Sequence, residues 1–452
     1  MKARSVITAL LGAALLCSAG GCSITDLSRE EMLRPPKTIG DEAEIEKLIS
    51  NTAKGGYTLK YPKSGSYRSA IVMHDLNSDG IDEAIAFFRD KDGAAGVHML
   101  VMSEEDGKWQ TSGDFVTETS DVDCVDFSDI NGNGTQEILV GYATYTLGMN
   151  FLSAYNFDKG KTYAIESGQT YSAFYCGNLD GSGKNEVMTL SLFSTENEAK
   201  ATLLEYDEER TRLAAKAEAP MDPSIVSYKN VAFSDLNDNT KGLTIDGALS
   251  NGELNTQLIY YDRQQNALLN PLYREKTPNP TQRAEAIYSA DLGGDMKVEI
   301  PTVSALPFNN KSGGSSAALQ VIWNSFDTTE GVLIPVMRTA VNCARGYMIK
   351  LPEAWVSGSF TALLNESADV MSVCEWSKGS AAQKLFDVKV FKVADWEQGN
   401  GIENYSLIYK DNRFAYAFIN YYPESELAVA DDEIKTGFLL LSGATVTAGN
   451  KL

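Results

Sequence analysis

Short apolar stretches, each four to eight residues long, recur along most of this chain and are separated by clusters of Asp, Asn, Gly and charged residues. SAIVM precedes Asp75 and EAIAFF follows it; CVDF and EILVGY flank the next cluster; AFY and EVMTLSL flank the third. Apolar and β-branched runs bounded by turn formers predict strands. A second pattern lies downstream in each unit: HMLVMSEEDGKW, FLSAYNFDKGKTY, TLLEYDEERTRL, QLIYYDRQQNAL and QVIWNSFDTTEGVL. Each reads as an apolar strand, a charged turn and a return strand.

The polar clusters begin at Asp75 (DLNSDGIDE), Asp129 (DINGNGTQE), Asn178 (NLDGSGKNE), Asp235 (DLNDNTKGL) and Asp291 (DLGGDMKVE), a pitch of 49–57 residues. Two signals in the same register across five units define an internal repeat of about four strands. Radial repetition of such units is how β-propellers protect their sheet edges. Five recognisable units predict five blades, or six to seven if diverged segments add more. Tyr57 to Tyr61 (YTLKY) is a candidate for an extra strand that closes the ring.

On these loops and hairpins the chain resembles the FG-GAP/VCBS repeats, the propeller repeats also found in integrin α chains, over roughly Tyr57 to Pro335. The first loop places Asp75, Asn77 and Asp79 at positions 1, 3 and 5, Gly80 at 6 and Glu83 at 9. The second places Asp129, Asn131, Asn133, Gly134 and Glu137 in that register. Alternate oxygens around a Gly turn suit Ca²⁺, which takes six to eight oxygen ligands. The resemblance implies a calcium site made by positions 1, 3, 5 and 9 and a main-chain carbonyl in these two loops. An EF-hand is excluded, because position 12 is Ala86 or Val140 and strands flank the loops. The third loop offers Asn178, Asp180, Ser182, Gly183 and Glu186, whereas Leu243 at position 9 of the fourth and Gly293 and Met296 in the fifth break the pattern. The alternative for every loop is an Asx-turn that caps its own backbone without a cation.

The ends of the chain carry other information. Lys2 and Arg4, the apolar run from Val6 to Leu16, and Ser18-Ala19-Gly20-Gly21 before Cys22 read as an export signal. A span needs about 20 apolar residues, so this run is too short to remain as an anchor. SAGGC resembles a bacterial lipobox, which implies cleavage before Cys22, acylation of Cys22, and tethering to the outer face of a bacterial cell membrane. The other reading is a plain cleaved signal. A polar stretch with Pro35-Pro36 follows as a tether, and Ile45, Leu48 and Ile49 predict a short helix over Asp41 to Ser50. From about Ala340 the grammar changes to strands mixed with helical character at Ala394–Gly399 and Ser425–Leu439, which predicts an α+β domain with one antiparallel sheet. Its opening, Tyr347 to Trp355, faintly resembles PsbP/Mog1-like domains. The expected organisation is a signal peptide (1–21), a lipidated Cys and tether (22–40), a propeller (41–338) and an α+β domain (339–452).

Composition narrows the function. The chain has 452 residues, 43% hydrophobic, and a formal net charge of −22, which excludes a nucleic-acid partner held through phosphates. Only two histidines exist, His74 and His98, which leaves little room for a His-based triad. His98 reads as packing, and His74 as at most a support for the first loop. Cys343 with Cys374 is the more plausible disulfide, with free buried thiols as the default. The composition and repeats together predict a non-enzymatic, tethered extracytoplasmic binding or scaffolding protein with an unknown protein or carbohydrate ligand. The alternative is an extracellular hydrolase acting on a polymer such as a polysaccharide through paired carboxylates.

Overall fold

The computed structural model describes residues 40–53, 55–91, 96–144, 149–195, 197–237, 240–309 and 315–441. The export signal, Cys22 and the tether lie outside these residues. A helix, α1 (Asp41–Thr52), forms a unit of its own, slightly longer than expected, with Ile45 and Ile49 buried. The rest of the chain, from Ala53 onward, is a second unit built from β-sheets.

Its first sheet contains β1 (Tyr57–Leu59), β2 (Ile71–His74), β3 (Glu83–Asp90), β4 (Val97–Glu105) and β5 (Lys108–Thr117). The second contains β6 (Asp121–Ser128), β7 (Glu137–Ala143), β8 (Asn150–Asp158) and β9 (Lys161–Tyr171), and the third β10 (Ala173–Gly177), β11 (Glu186–Ser191), β12 (Lys200–Asp207) and β13 (Arg212–Pro220). The fourth contains β14 (Ile225–Asn237), β15 (Thr240–Leu249), β16 (Leu254–Asp262) and β17 (Ala267–Leu269). Sheets two, three and four are antiparallel meanders in sequence order, the second and third joined by one parallel pairing of Arg212 in β13 with Glu166 in β9, and the first differs only by β1. The tight hairpins arise where expected. Asp106-Gly107 and Lys159-Gly160 both take positive φ, the geometry of a two-residue turn that matches strand twist.

The second strands β3, β7, β11 and β15 carry apolar side chains on both faces because both faces are buried. Ile138 and Val140 pack into a core shared with Ile85 and Phe87 of the first sheet, while Leu139 between them faces Val187 and Leu204 of the third. Met188 and Leu190 then meet Leu243 and Ile245 of the fourth sheet. Leu258 and Tyr260 meet Ile300 and Phe326 of the fifth. Sheets therefore stack face to face in chain order, a β-propeller-type fold.

The fifth sheet departs from the regular meander. It contains β18 (Ile300–Ala305), β20 (Leu319–Asp327), β21 (Val332–Asn342), β22 (Tyr347–Leu351) and β28 (Phe438–Leu440). Between β18 and β20, the short β19 (Ser316–Ala317) leaves to join the sixth sheet. That antiparallel sheet consists of β19, β23 (Phe360–Leu364), β24 (Val370–Ser377), β25 (Ser380–Lys392), β26 (Ser406–Lys410) and β27 (Phe414–Asn420). The short helices α2 (Val393–Glu397) and α3 (Asp431–Thr436) accompany it.

Three expectations need correction. Tyr57–Leu59 pairs with β3 inside the first sheet and does not close a ring by joining the last one, because the end of β3 offers an open edge beyond β2. The boundary expected at 339 falls inside β21, whose ladder continues into β22. The helical character expected over Ser425–Leu439 contracts to α3, and β28 follows it because Phe438 stacks on Tyr347. Cys343 and Cys374 are both free, as the default reading has it, the former in an exposed turn and the latter buried in β24.

One buried polar network locks the segment after β17 onto the fourth sheet. Arg283 and Asp246, both fully buried, pair at 2.8 Å. Asp246 also accepts from Thr256, Ser289 and Asn230, and Arg283 donates to Thr281 O and Ile287 O. Removing one partner strands the other charge in the core. Asp246→Ala should therefore lower unfolding free energy by about 3–5 kcal/mol in urea denaturation; a loss under about 1 kcal/mol would contradict this role.

Candidate functional site

The repeat loops join the first to the second strand of their sheets. In loops one, two, three and five, positions 4 and 6 have positive φ: Ser78 and Gly80, Gly132 and Gly134, Gly181 and Gly183, Gly294 and Met296. Glycine recurs there because the left-handed region costs it nothing, and Met296 holds the same shape without that freedom.

The odd positions carry the polar chemistry. Asp75 accepts from the main-chain N–H groups of Asp79 (3.1 Å) and Gly80 (2.9 Å), Asn77 from Asp79, and Asp79 from Ile81. Asp129 accepts from Gly132, Asn133 and Gly134, Asn131 from Asn133, and Asn133 from Thr135. Asp291 accepts from Gly294, Asp295 and Met296 in the fifth loop, the pattern of Asp129, even though Gly293 and Met296 break its sequence. These are Asx-turns laid end to end.

Position 9 has a role that the sequence reading did not find. Glu83 accepts from Leu76 N (2.9 Å), Glu137 from Ile130 N (2.9 Å), Glu186 from Leu179 N (2.8 Å) and Glu299 from Leu292 N (2.8 Å). Each carboxylate is drawn inward to position 2 of its own loop, and Glu137 is fully buried. The signal was available: position 2 is always Leu or Ile, seven residues before the Glu. In the fourth unit position 9 is Leu243, and the described residues of the segment continue the ladder. Asp235 and Asn237 instead belong to β14, paired with Lys241 and Thr240 of β15.

The carboxylates differ in how their charge is met. In the third loop Lys216 of β13 reaches Asp180 at 2.7 Å, and Lys241 lies 3.3 Å from Asp235 in the fourth unit. Burial works to raise Asp180, but the Lys216 ammonium more than offsets it and holds the carboxyl at about 2. Among the described residues, Asp75, Asp79, Glu83, Asp129 and Glu137 have no basic partner. Burial pushes Glu83 and Glu137 up to about 7, and the neighbouring Asp75, Asp79 and Asp129 add to the rise. Asn77 and Asn131 turn their amide nitrogens toward Asp79 and Glu137. Among the described residues, no three acidic, His or Cys side chains converge as ligands of one ion. The donor set of the first two loops is nevertheless hard oxygen, the kind calcium takes.

Loops of neighbouring units touch. Gln136 N donates to Leu76 O across loops one and two (2.7 Å), and Asp235 N to Met296 O across units four and five (2.9 Å). His74 bridges the first contact: its ring stacks on Phe127 at 3.9 Å, and Nε2 lies 2.7 Å from Gln136 Oε1. His98 stacks on Phe88 and places Nδ1 2.9 Å from Asp114. Both histidines thus serve packing between strands.

No family model matches the chain, and no curated protein matches it. Solved structures similar to it include the periplasmic gluconolactonase PpgL of Pseudomonas aeruginosa (15% identity, 70% of this chain and 95% of that one, TM-score 0.26). Others are a rhamnogalacturonan lyase of Bacillus licheniformis (10%, 80% and 91%, 0.30) and the Dos1 propeller (12%, 68% and 80%, 0.27). Superpositions this loose say nothing about activity.

The buried Glu at position 9 has a consequence for pH. Burial raises Glu186 to about 7, above the ordinary carboxylate range. A group raised on folding contributes stability that is fully present below its unfolded pKa, about 4.3, and lost as pH rises through about 7. Glu186→Gln keeps an acceptor without a charge. With chelator present, its unfolding free energy should fall less than the wild type's between pH 5 and pH 8; parallel curves would rule out this contribution.

Proposed function

We propose that this chain is a lipid-anchored extracytoplasmic binding protein, in which the row of repeat loops forms a recognition platform and the first two loops take Ca²⁺. The observation that carries the reading is the charge balance of the loops. The third and fourth units supply their own ammonium groups, Lys216 and Lys241, whereas the first and second leave Asp75, Asp79, Glu83, Asp129 and Glu137 without one. An external divalent cation would supply what those lysines supply elsewhere. Asp75, Asn77, Asp79 and Glu83 would hold it in the first loop, and Asp129, Asn131, Asn133 and Glu137 in the second. Bound there, it would neutralise the cluster and stiffen the rim at the contact between Leu76 and Gln136.

Main-chain capping leaves room for this. A carboxylate offers about four lone-pair positions, and Asp75 uses two of them on the N–H groups of Asp79 and Gly80. The acidic loops also suit a platform on an exported protein, where calcium is plentiful and membrane tethering through Cys22 holds the array near its partner. Two acyl chains would anchor it stably where one would not.

Two experiments test the reading. Calcium should raise the melting temperature of the chelated protein by several degrees, as a ligand at 100 times its Kd adds about 2.7 kcal/mol, and Asp79→Ala should lose most of that gain; identical melts with and without chelator would overturn the metal. Cys22→Ala should move the protein from the membrane fraction to the soluble exported fraction, whereas unchanged retention would overturn the anchor.

A further inference from the structure

Basic residues gather at one cleft on the sixth sheet of a chain whose net charge is −22. The cleft has a volume of about 340 Å³, within the size range of small-molecule sites. Arg345, from the turn between β21 and β22, lines it with Lys389 and Lys392 of β25. Asp369 and Asp395 line it too, but their effects differ. Asp369 is taken up by Arg345, whose guanidinium also donates to Ser367 O at 3.0 Å. Both contacts run through Nη2, and Arg345 Nε is buried without an acceptor among the described residues. Asp395 lies exposed in α2.

The two lysines are not neutralised. Neither forms an ion pair among the described residues. Lys389, half-buried, stands 4.4 Å over the Phe391 ring and 5.4 Å from that of Tyr405. Aromatic faces hold an ammonium in place through its charge without satisfying its N–H donors, so these remain free for an acceptor. Phe391 and Phe414 supply an apolar wall beside them.

We infer that this cleft binds a small oxyanion, a carboxylate or a phosphate ester, through Arg345, Lys389 and Lys392, with the attached apolar part against Phe391 and Phe414. Guanidinium and ammonium groups are the usual partners of such anions. The site is separate from the repeat loops and does not depend on calcium there.

The test is titration of the full exported chain by calorimetry and thermal shift with inorganic phosphate, D-glucuronate and glucose, each against sodium chloride at matched ionic strength. Saturable binding of phosphate or glucuronate is expected, phosphate alone pointing to a phosphate ester and glucuronate to an acidic sugar. Lys389→Gln should weaken it about tenfold or more, about 1.4 kcal/mol. The exposed Lys392→Gln should weaken it without altering the melting temperature of the free protein, which separates binding from folding. No saturation beyond chloride, an undiminished response in both variants, or glucose binding as well as glucuronate would overturn the site.

Discussion

The bond from the position-2 N–H to the position-9 carboxylate is the contact on which the repeat architecture depends. It closes the base of each loop, so Leu76, Ile130 and Leu179 are fixed pointing into the cores between sheets. Fully burying such a side chain is worth about 1.5–3 kcal/mol, and an orphaned buried N–H would cost about 1–3 kcal/mol. The carboxylate therefore serves both the loop and the sheet stack. The fourth unit supplies a comparison within the same chain. With Leu243 in place of Glu, β14 and β15 pair as far as Asn237 opposite Thr240.

This dependence reorders the meaning of the acidic motif. Asp and Asn at positions 1, 3 and 5 first satisfy the main chain, and any cation must work with lone pairs left over. Units three and four resolve the leftover charge from within, through Lys216 and Lys241. The fifth keeps the loop's shape with Met296 at a φ of 63°, showing that the Asp291 and Glu299 bonds hold it even without glycine at that position. Shape and charge have thus come apart along the array: the fifth unit keeps the shape, and its Asp291, Asp295 and Glu299 also lack a basic partner among the described residues, but Gly293 leaves it without the side-chain oxygen that the first two loops carry at position 3.

What was legible in the sequence was local. The hairpins at Asp106-Gly107 and Lys159-Gly160 and the turns around Gly80 and Gly134 follow from residues adjacent in the chain, and the buried second strands follow from unbroken apolar runs. Glu83 and Glu137 were visible only as metal ligands, because their partner is a main-chain N–H and leaves no side-chain signature. Pairing of Tyr57–Leu59 with β3, and the departure of β19 to another sheet, depend on which edges are free after folding. The basic cleft was equally hidden, since Arg345, Asp369 and Lys389 come from three separate strands or turns.

The end of the array shows why a repeat pattern alone misplaces a boundary. The fifth sheet lends Ser316–Ala317 to the sixth, opposite Leu364 and Leu363, and receives Phe438–Leu440 back opposite Ile349 to Tyr347. Tyr347, Tyr416 and Phe438 then form one aromatic cluster drawn from both sheets. A cut at 338 would sever β21 within its ladder and strip the fifth sheet of both its closing strands. Exposed ladder edges of that kind invite pairing with other chains. The C-terminal sheet is therefore part of how the array ends, and its basic cleft is held by the same elements: Arg345 sits in the turn that leads from β21 to β22.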